Sequence, residues 1–238
     1  MSIGPREATA DGAPPARGNG KAGKSAATRQ RILDVAAATF LRKGYTATTL
    51  NDIAKASRLR AGSLYYHFDG KEQLLDAVLE LGVERLFRAV RAAVEAVPAE
   101  APSLARIETA IGAHLAMLIE GGAYTSCTMR IFGQMPLAVQ RRHMPLREAY
   151  GEYWRDLFAD AAAAGDLRPD IDLSLARMFV FGALNWTPEW FKRGRGGADA
   201  AARQLSRLFL AGLASASASP TAPVASASRP PPAGRRPG

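Results

Sequence analysis

Residues 58–75 read "RLRAGSLYYHFDGKEQLL", and this stretch decides how the N-terminal part of the chain folds. Two tyrosines, a histidine and a phenylalanine stand in a row on what the pattern predicts to be one short helix. At about 3.6 residues per turn, Leu64 and Phe68 share one face with Ala61, and Tyr66 and His67 lie on the other side. The apolar face suits a protein core, so the phenol and imidazole groups are left for a different surface.

Two further short helices precede this one. Residues 28–43 carry apolar side chains on one face, and Gly44 is placed to end that helix. Thr49 is a predicted N-cap with Asp52 in capping-box position, and the helix that it starts runs through Ala56. Three short helices with a tight break between the second and third are the helix-turn-helix plan, in which the third helix enters the major groove of DNA.

The formal charge of +9 is concentrated in this segment and in the tails. Residues 28–71 carry eight basic and three acidic side chains, whereas residues 72–215 carry sixteen basic and seventeen acidic ones. A small basic unit beside a neutral body predicts contact with a polyanion through that unit. The alternative is a generally basic, solvated surface.

The whole chain is predicted to be all-α, with about nine helices and no run of alternating polar and apolar residues. The low-complexity tails, residues 1–24 and 216–238, are predicted to be disordered because they offer little apolar surface to offset the entropy of ordering. Between them we expect a helix-turn-helix unit over 25–72 and a helical body over 73–215.

A cytoplasmic location and no membrane span are expected. Cys127 is the only cysteine, which excludes an intrachain disulfide and suits a reducing compartment. The first twenty residues lack the apolar segment of a secretory signal. The most apolar long stretch, residues 173–186, is too short to cross a bilayer and contains Arg177.

The segment "GYTATTLNDIAKASRLRAGSLYYHFDGKEQLLDAVLE", residues 44–80, resembles the TetR family of bacterial one-component regulators. The likeness depends on a pattern over residues 28–80, with its matches at Phe40, Gly44, Tyr45, Thr48, Thr49, Ile53, Ala54, Gly62, Leu64, Tyr65, His67, Phe68, Lys71 and Leu74. The resemblance implies a homodimer with an N-terminal DNA-binding domain and a C-terminal ligand-binding and dimerisation domain. Double-stranded operator DNA and a small-molecule effector are the implied partners.

The resemblance also implies which residues meet DNA. Those implied to hold phosphates are Thr49, Tyr65, Tyr66, His67 and Lys71. Those at base-reading positions are Asn51, Arg60, Ala61 and Ser63, with the backbone bared at Gly62. Two alternatives stay open, because Tyr65 can belong mainly to the core and His67 can simply cap a helix end.

The turn between the second and third helices departs from the family pattern. The family usually has Ala-Gly and an apolar residue there, whereas this chain has Ser57-Arg58-Leu59. Without glycine the turn is strained if its residue takes a positive φ. The alternative is that Arg58 and Arg60 add contacts to DNA.

A ligand pocket is expected among the central helices. The candidate lining residues are His114, Met117, Leu118, Tyr124, Arg130, Phe132, Arg177, Met178, Phe181, Asn185 and Trp186. For each of them a plain core role is the alternative, since methionine and aromatic residues at helical spacing are often ordinary core. The segment "FGALNWTPEWF", residues 181–191, resembles the TetR branch of fatty-acid and steroid breakdown, which implies an acyl-CoA thioester as effector.

No catalytic residue, metal site or cofactor is predicted. The three histidines lie far apart and show no metal-ligand spacing. Cys127 and His114 can in principle form a nucleophilic pair, but the sequence shows no acid to orient the histidine. The favoured hypothesis is a ligand-responsive repressor. Two alternatives stay open: an architectural DNA-binding protein without an inducer, and a small-molecule binder or enzyme that does not bind DNA.

Overall fold

The computed structural model describes residues 19–191 and 196–215, with the backbone alone for residues 19–22. The all-α prediction is confirmed: within these residues there are nine α-helices and one short 3-10 helix, and the only extended pairing is an isolated bridge between Leu167 and Ala214. In chain order the helices are α1 (Asn19–Lys43), α2 (Leu50–Ala56), α3 (Ala61–Tyr65), α4 (Lys71–Glu95), α5 (Ser103–Ile119), α6 (Ala123–Ile131), the 3-10 helix (Phe132–Gln134), α7 (Leu137–Ala163), α8 (Leu173–Trp190) and α9 (Gly197–Leu213).

The chain forms two compact units. The first takes the chain up to Ala89 together with Ala116–Tyr150, and the second takes Val90–Leu115 together with the chain from Gly151 onward. These two compact units do not correspond to the predicted helix-turn-helix unit over 25–72 and helical body over 73–215. Compact units need not coincide with functional domains, so the predicted domain boundaries stay predictions.

The core of the first unit positions α3. Apolar side chains of α1, α2, α4 and α6 form one buried cluster, and Leu64 and Phe68 join it with 1% and 2% of their surface exposed. Burial of two such side chains contributes about 1.5–3 kcal/mol each, which holds the short helix in place. The other side of α3 therefore faces away from the core.

The predicted helix ends around α2 are confirmed. Gly44 takes φ +78° after α1 and its amide donates to the Phe40 carbonyl at 2.8 Å. The Thr49 hydroxyl accepts from the Asp52 amide at 3.1 Å, and the Asp52 carboxylate accepts from the Thr49 amide at 3.0 Å. Both halves of the capping box are present, so α2 starts at a defined residue.

Helices α4 and α6 approach each other closely at Gly82. A Cβ built on Gly82 would overlap the Thr128 hydroxyl and lie 2.9 Å from the Tyr124 carbonyl oxygen. Only glycine fits this crossing without a shift of one helix.

The second unit has its own core and a helix with two different faces. Trp154 and Phe158 of α7 are buried, as are Val180 and Leu184 of α8. The opposite edge of α8 carries large apolar side chains that are exposed in the protomer: Leu175, Met178, Phe179, Trp186 and Trp190. Soluble proteins rarely leave such a stripe uncovered, so this edge is suited to an interface.

The start of α1 differs from the prediction. The helix begins at Asn19 rather than Thr28, so residues 19–24, which were predicted to belong to a disordered tail, are helical. The segment has no proline, and its lysines and alanine favour the extension of a helix that the buried residues of α1 already hold, against the cost of Gly20 and Gly23. The remaining tail residues, 1–18 and 216–238, lie outside the described residues.

Two prolines lie inside helices. Pro145 lies inside α7, although proline is favoured at the first turn of a helix. Proline leaves the carbonyl four residues earlier without its donor, and here both Pro145 and Arg141 are exposed, so water can supply the missing hydrogen bond. Helix α8 extends beyond the apolar stretch 173–186 to Trp190, with Pro188 in its last turn.

Candidate functional site

The turn that joins α2 to α3 is a Schellman motif with arginine in the left-handed position. The Leu59 amide donates to the Ala54 carbonyl at 2.9 Å, and the Arg58 amide donates to the Lys55 carbonyl at 3.0 Å. Arg58 has φ +55° and is the one non-glycine residue with positive φ in the described chain. The sequence-based concern about strain is therefore justified, because a side chain in this region costs about 1–2 kcal/mol.

We expect Arg58→Gly to stabilise the protein by about 0.5–1 kcal/mol, since the relief of left-handed strain exceeds the extra entropy that glycine loses on folding. Urea denaturation followed by circular dichroism measures the change in the free energy of unfolding.

Arg58→Ala is the matched control, because it removes the guanidinium and leaves the strain. If both variants lose affinity for DNA equally, the arginine contacts DNA. An Arg58→Gly protein no more stable than the original would contradict the strain.

The outer face of α3 presents the predicted DNA-binding groups to solvent. Tyr66 is 80% exposed and Tyr65 is 56% exposed, so Tyr65 is not a core residue. The ring of His67 packs edge-on against that of Tyr66, with 5.1 Å between centroids. Ala61, Gly62 and Ser63 are exposed beside them. A phenol, an imidazole and small residues together suit phosphate oxygens and base edges.

Positive charge surrounds this face. Lys55, Arg58 and Arg60 are exposed, and none of them forms an ion pair with another described residue. Free cations of this kind attract a polyanion through release of its counterions.

The start of α2 contributes two further predicted contacts. Asn51 is exposed, with its side chain available to a base edge. Thr49 is also exposed, but its hydroxyl already bonds Asp52. The Asp52 carboxylate also meets Lys43 at 3.2 Å, and these hydrogen bonds lower the pKa of Asp52 to about 2.

Lys71 has a partly structural role. Its ammonium donates to the carbonyls of Tyr45 and Thr48 at 3.1 and 3.0 Å and lies 4.2 Å from the centroid of the Tyr45 ring. An ammonium has three donors, so one N–H is left for a phosphate.

In the second unit three of the predicted ligand residues meet in one buried group. His114 is fully buried, and its Nε2 lies 3.2 Å from Oδ1 of Asn185. The Phe181 ring lies 6.0 Å from the His114 ring. Trp154, which sequence reasoning did not single out, packs against both rings at 6.2 and 5.2 Å. Burial lowers the pKa of His114 to about 4, so the imidazole is neutral at physiological pH.

Because of His114, the free energy of unfolding should decrease as the pH is lowered through a defined range. Below its ordinary pKa of 6.5 the unfolded chain binds a proton that the folded chain refuses until about pH 4. Stability is therefore lost as pH falls from 6.5 to 4, by about 1.4 kcal/mol per pH unit. His114→Gln, which can still bond Asn185, should flatten this slope in urea denaturations at several pH values. His67→Gln is the control and should keep the slope; a slope unchanged in His114→Gln would show that His114 does not carry it.

Other predicted ligand residues of α8 lie elsewhere on the helix. The guanidinium carbon of Arg177 is 6.0 Å from the centroid of the Phe181 ring, which places it beside the buried group. Met178 and Trp186 are 53% and 66% exposed in the protomer, on the uncovered edge.

In the first unit Tyr124 is hydrogen-bonded to α1. Its hydroxyl donates to Asp34 of α1 at 2.8 Å and accepts from Gln30 at 3.0 Å. The Arg85 guanidinium lies 4.3 Å from the ring centroid. Burial and the neighbouring Asp34 carboxylate raise the pKa of Tyr124. Its phenol thus joins α6 to α1 and is engaged before any ligand arrives.

The remaining predicted residues of this unit vary in burial. Leu118 and Phe132 are buried, Met117 is partly buried, and Arg130 is exposed. Sequence reasoning missed Arg147, whose guanidinium carbon lies 4.0 Å from the centroid of the Phe132 ring. No sequence signal marks it, because α7 has arginines at several neighbouring positions.

The Cys127 thiol is poorly suited to nucleophilic attack. Burial raises the pKa of the Cys127 thiol to about 12, and the nucleophilic form is the thiolate. Among these residues no cluster of three histidine, cysteine or acidic side chains can hold a metal ion. No helix in the described ranges is long and apolar enough to span a bilayer.

Comparison with known proteins places the chain in a family. Residues 32–78 match the model for bacterial regulatory proteins of the tetR family, and residues 100–213 match the tetracyclin repressor-like C-terminal domain. The transcriptional repressor KstR2 of Rhodococcus jostii (strain RHA1) is 30% identical over 201 residues, which cover 83% of this chain and 94% of that protein. The chain belongs to the TetR family of transcriptional regulators.

Two solved structures share the fold. The ketosteroid transcriptional regulator KstR2 of Mycobacterium tuberculosis superposes with a TM-score of 0.68 at 24% identity, over 79% of this chain and 95% of that one. AibR in complex with isovaleryl coenzyme A and operator DNA gives a TM-score of 0.68 at 22% identity, over 76% and 97%. The matched relatives are transcriptional regulators, in agreement with the resemblance in residues 44–80.

Proposed function

We propose that this TetR-family protein is a repressor that binds a near-palindromic operator as a homodimer and is released by an apolar effector. The observation that carries the proposal is the outer face of α3, where Tyr66 is 80% exposed among unpaired cations. The contacts assigned to DNA are Thr49, Asn51, Arg58, Arg60, Ala61, Gly62, Ser63, Tyr65, Tyr66, His67 and the remaining donor of Lys71. As an operator-binding regulator without catalytic activity, the protein acts in the cytoplasm.

The apolar edge of α8 supports the dimer. Phe179, Trp186 and Trp190 are all more than half exposed in the protomer, and covering them would recover much hydrophobic free energy. A two-fold interface brings the same edge of both protomers together. The dimer would hold its recognition helices about 34–36 Å apart, one turn of DNA.

An acyl-CoA thioester is the proposed effector. The likeness of residues 181–191 to the branch that senses such thioesters supports this class. AibR, which shares the fold, has been solved with isovaleryl coenzyme A and operator DNA. His114, Phe181 and Asn185 offer a neutral polar group among aromatic rings, which suits a thioester and its acyl chain.

Contacts within the first unit supply a route from effector to operator. Tyr124 ties α6 to α1, and Arg142 of α7 bonds Glu72 and Asp76 at the start of α4, just after the recognition helix. An effector that favours a different position of α6 or α7 would move these attachment points. For release to occur, the effector must bind the two states with different affinity.

Fluorescence anisotropy on the DNA upstream of the protein's own gene tests the proposal. A scrambled duplex at the same salt concentration is the control, and acyl-CoAs of several chain lengths are added to each. We expect tight binding to the native duplex alone and release by at least one thioester. Equal binding to both duplexes would favour an architectural protein instead, and release by no thioester would remove the acyl-CoA assignment while keeping the regulator.

A further inference from the structure

Arg147 has a buried hydrogen-bond donor with no acceptor among the described residues. It lies on α7 in the first unit, and its Nη1 atom is buried without a hydrogen-bond partner. Its guanidinium carbon is 4.0 Å from the centroid of the Phe132 ring, which is itself buried. The aromatic face restrains the guanidinium, since arginine stacks readily on such rings.

The cation also lacks a counter-charge. Burial lowers the pKa of Arg147, and no acidic group opposes that effect. Other arginines contrast with it: Arg142 bonds two carboxylates, and Arg168 bonds Asp170 at 2.6 Å. Buried charges in proteins are normally paired because the loss of hydration is costly. A site that holds an unpaired, restrained guanidinium is therefore built to receive an anion.

We propose that Arg147 recognises an anionic oxygen of the effector, a carboxylate or a phosphate, while Phe132 holds the guanidinium in place. This inference rests on the proposed function, because it assigns the residue that meets an anionic group of the effector, independently of the buried group around His114. Arg130 of the same unit is exposed and lacks the enclosure that Arg147 has. Arg147 combines burial, a free donor and an aromatic platform.

Isothermal titration and thermal shift without DNA test the assignment on the full chain. The variants are Arg147→Met, Arg147→Lys and the control Arg141→Met, which removes an exposed arginine from the same helix. The probes are decanoyl-CoA, coenzyme A and decanoate. We expect Arg147→Met to weaken decanoyl-CoA binding about 10- to 100-fold, because a charge-assisted hydrogen bond is lost. Arg147→Lys should bind at an intermediate level, and Arg141→Met should bind like the original protein.

The three probes separate the two anions. Loss of coenzyme A binding with decanoate unaffected assigns Arg147 to a phosphate, and loss of decanoate binding assigns it to a carboxylate. The ligand-free Arg147→Met protein should melt no lower than the original, because it no longer buries an unpaired charge.

Two results with the Arg147 variants would overturn the inference. One is decanoyl-CoA binding that stays within about twofold in Arg147→Met. The other is a ligand-free variant that melts several degrees lower while Arg147→Lys binds normally, since that pattern describes a structural arginine. If none of the three probes binds the original protein, the inference is also overturned as stated. Operator binding, measured separately, tests the proposed function. A failure of the Arg147 assignment can therefore be distinguished from a failure of the proposed repressor function.

Discussion

Gly82→Ala should lower the melting temperature by about 5–10 °C. The added Cβ would overlap the Thr128 hydroxyl and press on the Tyr124 carbonyl oxygen, so side-chain rotation alone cannot relieve it. Overpacking of this kind costs about 1–3 kcal/mol, and each kcal/mol shifts the melting temperature by about 2–4 °C at this size. Differential scanning calorimetry measures the change.

Gly112→Ala is the matched control. Gly112 lies inside α5 with no atom within 4 Å of a built Cβ, so alanine there should stabilise the protein by about 0.5–1 kcal/mol. Thr128→Ala alone should be nearly neutral because the Thr128 hydroxyl has no hydrogen-bond partner. In the Gly82→Ala protein, the added Thr128→Ala substitution should restore part of the lost stability. A Gly82→Ala protein as stable as Gly112→Ala would show that α4 and α6 separate freely.

The local features of the fold were predictable because they depend on residues close together in the chain. The capping box at Thr49 and the left-handed cap at Gly44 follow from side-chain chemistry within a few residues. The face of α3 follows from helical spacing, since Leu64 and Phe68 must turn inward together. The strain at Arg58 was predictable for the same local reason, because a Schellman motif needs a positive φ even where the residue is not glycine.

Features that depend on distant contacts were not predictable. The Tyr124 hydroxyl was assigned to a ligand, yet it bonds Asp34, ninety residues earlier. Nothing near Gly82 in the sequence indicates that α6 crosses there. Pro145 stays inside α7 because that turn faces solvent, which composition alone does not reveal. His114 and Asn185 were expected as separate pocket residues of the central helices, and the structure adds that they bond each other.

Tyr66→Ala should weaken DNA binding at least about tenfold and leave the fold unchanged. Its ring is 80% exposed, and its one described ring contact is with His67, so little stability depends on it. A tyrosine hydroxyl that donates to a phosphate contributes about 1.5–3 kcal/mol, and a dimer would lose the contact in both half-sites. Anisotropy with the upstream duplex gives the affinity, and calorimetry with analytical ultracentrifugation checks stability and oligomeric state.

Two companion variants separate a phosphate contact from base reading. Phosphate contacts carry no sequence information, so Tyr66→Ala and Tyr66→Phe should weaken binding to the upstream and scrambled duplexes by similar factors. Asn51→Ala, at an exposed base-reading position, should weaken binding to the upstream duplex alone. If Tyr66→Phe binds normally while Tyr66→Ala does not, the ring rather than the hydroxyl makes the contact. If all three variants bind both duplexes normally, α3 is not the recognition helix and the DNA-binding face lies elsewhere.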